Sequence, residues 1–338
     1  MYTIHDVARL SGVSIATVSA VVNKKSGVSP ALTERVLKAV EALDYHPHQV
    51  ARSLRVRRTM TIGMVIPDIM NPFYAEVVRG AQDETKNKGY SLILCDSNED
   101  FGQEQSNLST LYSRRVDGVL LAPTSAHAAQ DRLTRRWFPI VFIDRIPPGF
   151  VGTAVITDNY LGAREATRHL ISLGHKHIAI ITGRLDLSNG IERLEGFRKA
   201  LQEAGLPLRD DHLQRGDFQV QSGYVCGLNL LQSPVRPTAV FSCNNKMTLG
   251  LMQALNKMSV ACPQNVSVVG FDDFEWSANF SPRLTTVAQP TREMGLQAMR
   301  VLLKRISQQG TPDNGKQDTV ITLKPELRVR DSTAPPGP

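Results

Sequence analysis

In the second part of the chain, charged and amide side chains stand at or shortly after the ends of short apolar runs. Asn71-Pro72-Phe73-Tyr74 follows Ile62–Ile66, Asp144-Arg145 follows Ile140–Ile143, Asn244 follows Ala239–Phe241, and Asp272 follows Val266–Phe271. Carboxylates, amides and a guanidinium collected at strand ends can form charge-assisted hydrogen bonds, which are strong and directional, and so suit a polar ligand. Covalent chemistry is not indicated. The first run leads into Pro67-Asp68-Ile69-Met70-Asn71-Pro72 without Gly-x-Gly-x-x-Gly or a phosphate loop, and no nucleophile can be placed beside a base. An enzyme on a doubly wound fold is therefore a distant alternative. No metal or cofactor is expected either. His175 and His177 alternate as they enter a strand and so point to opposite faces. Cys95, Cys226, Cys243 and Cys262 form no Cys-x-x-Cys, and the first three lie in apolar or small-residue stretches typical of reduced core thiols.

These residues need a scaffold that brings strand ends together. Candidate strands are Ile62–Ile66, Ser91–Cys95, Gly118–Leu121, Ile140–Ile143, His177–Ile181, Ala239–Phe241 and Val266–Phe271. Amphipathic helical stretches lie between them, such as Tyr74–Lys88, Asn159–Leu173, Gly190–Ala204 and Lys246–Met258. Strands alternating with helices predict an α/β body of parallel sheets covered on both faces. Ligands of such sheets bind outside the carboxyl ends of the strands.

The first part of the chain reads differently. Residues 1–58 hold nine Lys and Arg against four acids, so five of the seven net positive charges sit there. A small basic head on a nearly neutral body suits a chain that docks on phosphate. Thr3 caps a first helix with Asp6 three residues on, and Ile4, Val7, Ala8 and Leu10 supply its buried face. Ser11-Gly12-Val13 breaks that helix, and Ser14 caps a second through Val22. A third begins at Ser29-Pro30, with Leu32, Val36, Ala39, Val40 and Leu43 at helical spacing. The first pair is a helix-turn-helix, whose second helix enters the major groove.

Asp6-Val7-Ala8, Gly12-Val13-Ser14, Thr17-Val18-Ser19 and Val22-Asn23, followed by Tyr45-His46-Pro47 and Val50-Ala51-Arg52-Ser53-Leu54, together resemble the head of the LacI/GalR family of bacterial regulators. The resemblance places Ile15, Ala16 and Ala20 where relatives read bases. It gives Ser14, Thr17, Ser19 and Asn23, with Thr3 at the helix start, to the DNA backbone. Ala20 departs from the Arg or His of several relatives; it touches a thymine methyl but cannot hydrogen-bond a base edge. The resemblance also makes residues 47–58 a hinge helix that pairs with its twin in the minor groove. Val50, Ala51 and Arg55 lie along it, and Leu54 is the wedge between base steps.

Over residues 60–330 the chain resembles the periplasmic sugar-binding module that the family shares. The implied fold is an all-α helix-turn-helix head (1–46), the hinge and linker (47–58), and a two-lobed periplasmic-binding-protein-like body with parallel sheets (59–330). Lobe 1 takes about 60–158 and 290–322, lobe 2 about 159–289 and 323–330, and residues 331–338 form a disordered, Pro-rich tail. Matching the pentose site of ribose-binding proteins gives ten effector contacts: Asn71, Phe73, Tyr74, Asp144, Arg145, Arg193, Phe218, Asn244, Asp272 and Gln289. A ribose-like pentose is the favoured effector, with a purine or phosphorylated metabolite as the alternative. Leu187 and Asn189 differ from the purine-binding relative. The implied protein is a DNA-binding transcription regulator, more often a repressor than an activator, and not an enzyme. Its partners are double-stranded operator DNA, a sugar-like effector and a second copy of itself. A composition of 41% hydrophobic and 21% charged residues is that of a soluble globular chain. No apolar run long enough to span a bilayer and no signal-like N-terminus is evident, so the expected place is the cytoplasm, with no membrane partner.

Overall fold

A computed structural model describes residues 2–23, 26–45, 58–125, 138–147, 151–308 and 319–337. The chain divides into two units, Met1–Thr59 and Met60–Pro338. In the first, helices α1 (Ile4–Ser11), α2 (Ile15–Val22) and α3 (Pro30–Ala42) close around Val7, Ala8, Val18, Val21, Val36, Ala39 and Tyr45. The Thr3 backbone N–H donates to Asp6 Oδ2 at 2.9 Å, and the Thr17 N–H donates to Ser14 Oγ at 3.1 Å, so each helix start has a free donor capped by a side chain. Gly12 ends α1 in the left-handed region with φ 61°, and a Cβ there would lie 2.7 Å from Arg35 Nη2. That guanidinium donates to Ser11 O at 2.7 Å and so ties α3 to the turn. Leu10, expected in the buried face of α1, is 57% exposed: the inward face runs through Val7, Ala8 and Ser11, and Leu10 stands to one side of it. The hinge residues 47–57, including Val50, Ala51, Leu54 and Arg55, lie outside the described residues.

The second unit carries two six-stranded sheets. The first holds β1 (Thr61–Ile66), β2 (Ser91–Asp96), β3 (Gly118–Leu121), β4 (Ile140–Ile143), β5 (Ala154–Thr157) and a late strand Val320–Leu323, all parallel, in the order β2-β1-β3-β4-β5-late. Strand order reverses between β1 and β3, a switch point where ligands of doubly wound sheets bind. In the second sheet, Ile178–Thr182, Leu213–Arg215, Ala239–Ser242, Ser267–Phe271 and Thr285–Ala288 run parallel, while the edge strand Glu326–Arg328 is antiparallel. The chain passes between the sheets at Asp158, between Ala288 and Thr291, and between Leu323 and Glu326. Helix Thr291–Ser307 returns to the first lobe, where Met294, Ala298, Met299, Leu302 and Ile306 join its core. Each lobe thus has its own apolar centre, the second built around Phe197, Phe241 and Phe271. Cys226 and Cys243 are buried free thiols, whereas Cys95 is only half-buried on its edge strand.

The C-terminal segment corrects an expectation. Residues 331–337 are not a disordered tail; they dock along the second lobe. Ser332 is fully buried, donating from Oγ to Val268 O at 2.7 Å and accepting from the Thr285 N–H at 2.8 Å. Its carbonyl accepts from the Val268 N–H at 2.8 Å, and Ala334 N–H donates to Ser267 Oγ at 3.0 Å. Buried His175 bridges Thr238 Oγ1 and Ala334 O, each at 2.9 Å. Proline content signals a chain that cannot continue a helix, but proline is at home in an extended strap whose partners are side chains and neighbouring strand ends. Removing residues 331–338 strands several buried partners, each worth about 1 kcal/mol. The expected loss is about 3 kcal/mol, a fall in melting temperature of roughly 5–10 °C by scanning calorimetry. An unchanged melting curve would show the strap to be idle.

Candidate functional site

All ten residues expected to hold the effector line one cavity between the lobes, of about 360 Å³ including its open mouth. Each reaches it through a local device. Asn71 caps the helix that follows β1, its Oδ1 accepting from the Phe73 N–H at 3.1 Å, and this turns Phe73 and Tyr74 inward. Asp144 and Asp272 stand at strand ends with φ of 65° and 76°, and Phe218 has φ 71°. Left-handed backbone costs a non-glycine residue roughly 1–2 kcal/mol. Three cavity residues held there mark a place where function outweighs local stability. The Phe218 ring occupies space that any side chain at position 183 would take: a Cβ on Gly183 would fall 1.9 Å from its Cζ.

On the first-lobe side, a buried polar cluster surrounds Arg145. The Tyr74 hydroxyl donates to Asp144 Oδ2 at 2.7 Å and accepts from Arg145 Nη2 at 2.9 Å. Burial pushes the Tyr74 phenol well above its ordinary range, so it remains a donor. Arg145 also meets Glu99 with both terminal nitrogens, at 2.9 and 3.2 Å, and Asp144 through Nε at 3.3 Å.

On the second-lobe side, Arg193 donates to Asn159 Oδ1 at 2.8 Å and Cys243 O at 2.5 Å, while its guanidinium carbon lies 3.7 Å from the centre of the Phe271 ring. Asn244 donates to Phe218 O at 3.0 Å and caps the next helix through the Met247 N–H at 2.9 Å. Asp272 accepts from Gln289 Nε2 at 2.5 Å and from the Asn245 N–H at 3.3 Å. Burial raises the Asp272 carboxyl above the usual carboxylate range, against the pull of Arg193. Gln289 Oε1 is buried without a partner, an acceptor free for a ligand hydroxyl.

The lobes touch across this cavity. Asn245 donates to Asn71 at 3.0 Å, Lys246 reaches Asp68 at 2.6 Å, and Asn189 lies 3.5 Å from Asp144. Four further lining residues, Asp68, Glu99, Asn189 and Gln219, were not among the expected contacts. Asp68 and Glu99 follow β1 and β2, so the strand-end rule applied to every strand would have found both. Gln219 adjoins Phe218 and carries no separate signal. Among the described residues no group of three or more His, Cys, Asp or Glu is placed to hold a metal ion, and no helix is long and apolar enough to cross a membrane.

In the first unit, Val18 and Val21 turn inward from α2, while Ser14, Ile15, Ala16 and Asn23 face outward and Thr17, Ser19 and Ala20 are half-buried. Thr3 is exposed at the start of α1. Ile15 is 41% exposed, an apolar side chain that the three-helix core leaves unused. Asn23 Nδ2 donates to Ser19 O at 2.7 Å and fixes the end of the helix. Arg35 and Arg9 are engaged within the unit, Arg9 with Asp6 at 2.5 Å.

A family model described as bacterial regulatory proteins, lacI family, matches residues 3–48, and one described as periplasmic binding protein-like domain matches residues 167–333. The chain is 42% identical over 328 residues to the ribose operon repressor of Escherichia coli (strain K12), covering 96% of this chain and 99% of that protein. It is 38% identical over 335 residues to the HTH-type transcriptional repressor PurR of Histophilus somni (strain 129Pt), covering 98% and 99%. Among solved structures, the lac repressor dimer bound to operator and the anti-inducer ONPF aligns with a TM-score of 0.86 at 27% identity, covering 98% of this chain and 99% of that one.

Proposed function

The chain belongs to the LacI family of bacterial regulatory proteins, and from that premise we propose that it is an operator-binding repressor controlled by a ribose-like pentose held between the lobes of its body. The observation that carries the effector reading is the ring of strand-end donors and acceptors around the cavity, with the unpartnered Gln289 Oε1 among them. In this reading Ile15, Ala16 and Ala20 meet base edges, while Thr3, Ser14, Thr17, Ser19 and Asn23 hold the DNA backbone and set the register. Val50, Ala51, Leu54 and Arg55 form the minor-groove hinge. Two copies pair through their bodies and present two heads to a pseudo-palindromic site. The body binds and releases its effector without chemistry, and the protein works in the cytoplasm on the nucleoid.

The mechanism is linkage. A ligand that fits one lobe arrangement better than another shifts the population towards it, and this alters the pairing of the hinges. A coupling of roughly 1–3 kcal/mol changes operator affinity about 5- to 150-fold. The test selects bound DNA from a random duplex pool, then measures affinity for the enriched sequence with and without D-ribose. A palindromic consensus whose affinity moves by such a factor is expected. No consensus would overturn the regulator; a response to purines alone, which the PurR relative keeps in view, would replace the pentose.

A further inference from the structure

We infer that Glu99 is a charge gate: by occupying Arg145 it makes the cavity a site for neutral ligands and bars phosphorylated ones. The inference rests on the proposal that this cavity holds the effector. Sugar-binding sites and sugar-phosphate sites both use arginine, and what separates them is whether the guanidinium has unspent charge and donors. Four carboxylates line the cavity, Asp68, Glu99, Asp144 and Asp272, against two guanidinium groups. Arg145 is only 3% exposed at its side chain and is held on two sides, by Glu99 in a two-point pair and by Asp144. Tyr74 takes a further donor of the same group. That use of Nε, Nη1 and Nη2 leaves little for a ligand, and the cation is outnumbered by carboxylates within hydrogen-bond distance.

The neighbouring cations do not redress the balance. Lys246 is closed off by Asp68 and Gln219, each at 2.6 Å. Arg184 stands 3.7 Å from Glu99 but is paired with Asp186 at 2.6 Å. Arg193 lies within electrostatic reach of Asp272 in the same lobe and spends two of its nitrogens on Asn159 and Cys243 O. A phosphate ester entering this space brings up to two negative charges into a poorly screened site already rich in carboxylate, where like charges are costly. A neutral polyol meets the opposite situation, since ionised acceptors are the strongest partners for hydroxyl donors. Glu99 differs from Asp144 and Asp272 in this respect: both its oxygens are committed to arginine, so its effect on ligand choice runs through Arg145. It is a specificity-determining residue by position rather than by contact.

Titration calorimetry on the full chain with D-ribose and D-ribose 5-phosphate tests this. The wild type should bind ribose and give no heat with the phosphate ester. Glu99→Gln frees the Arg145 charge and should gain affinity for ribose 5-phosphate by about tenfold or more. Glu99→Asp keeps the charge and should gain nothing. Binding of ribose 5-phosphate to the wild type would overturn the inference, and so would a folded Glu99→Gln protein that still ignores it. Glu99→Ala serves as a second charge-removing variant, and a melting curve on each separates lost binding from lost folding. Loss of the ribose signal in the wild type, with the phosphate response appearing in Glu99→Gln, would remove the pentose reading and leave the gate standing.

Discussion

Replacing Asp272 with asparagine should abolish the response to ribose while leaving the unliganded protein at least as stable as the wild type. Asparagine is the side chain to use, because position 272 holds φ 76° and Asn tolerates that region better than other non-glycine residues. It keeps the shape and the acceptor for the Asn245 N–H, removes the charge, and sets an NH2 group opposite Gln289, whose amide turns to present Oε1. A hydrogen bond to an ionised group is worth about 1.5–3 kcal/mol, so losing its strength towards two sugar hydroxyls weakens binding on the order of 100-fold. Stability moves the other way. Burial raises the Asp272 carboxyl in the folded state, so the native protein binds this proton more tightly than the unfolded chain does. The contribution of Asp272 is therefore most favourable below the ordinary carboxylate pKa of 3.8 and is lost as pH rises through the elevated folded value. At neutral pH the wild type carries that cost and the asparagine variant does not. Thermal shift with and without ribose, repeated across the acid range, reads both effects. A variant that still responds to ribose, or one that melts well below the wild type, would show that Asp272 is a structural residue.

This opposition between binding and stability explains what was legible in the amino-acid sequence. Asp144, Asn244 and Asp272 announce themselves because ionised or amide residues immediately after apolar strands are out of place in a core and well placed at a sheet's carboxyl end. The head was legible for a different reason: its short helices need caps and small core residues at fixed offsets, and Thr3, Gly12, Ser14 and Val18 all occupy them. What escaped notice depends on partners distant in the chain. Glu99 sits at a strand end like the others, but its two-point pairing with Arg145, 46 residues on, has no local signal, and the strap at 331–337 is held by the equally distant Ser267, Val268 and Thr285. The strands Thr285–Ala288 and Glu326–Arg328 carry no apolar run, and Val320–Leu323 is only four residues with a Thr among them, so pairing is what defines all three. Asp273 shows the same limit. It lies beside Asp272, yet it holds Arg328 on the returning edge strand and Arg330 just beyond it, at 2.6 and 2.7 Å. That clamp anchors one of the crossings between the lobes next to Asp272, the residue proposed to grip the ligand.

The second large effect is expected in the head. Val18→Asp should remove operator binding altogether, with the ribose response of the body preserved. Val18 is fully buried in α2, among Val7, Val21, Val36 and Ala39. An unpaired carboxylate placed there costs several kcal/mol. A unit of fewer than 60 residues has little stability in reserve, because its small core removes only a modest share of the chain from water. Unfolding the head presents no ordered recognition helix, so affinity should fall to the salt-sensitive level that any basic chain shows for DNA, at least about a thousandfold below specific binding. The body forms a separate compact unit from Met60 onward, with apolar cores of its own, and should be indifferent to the change. Anisotropy with labelled operator and calorimetry with ribose, on the same preparation, separate the two. Retained specific binding would mean that α2 is not the reading element, and loss of both activities would mean that the units do not fold independently. The division of labour predicts one outcome: DNA recognition disappears while the cavity, with Asp272 and Arg193 intact, still takes its ligand.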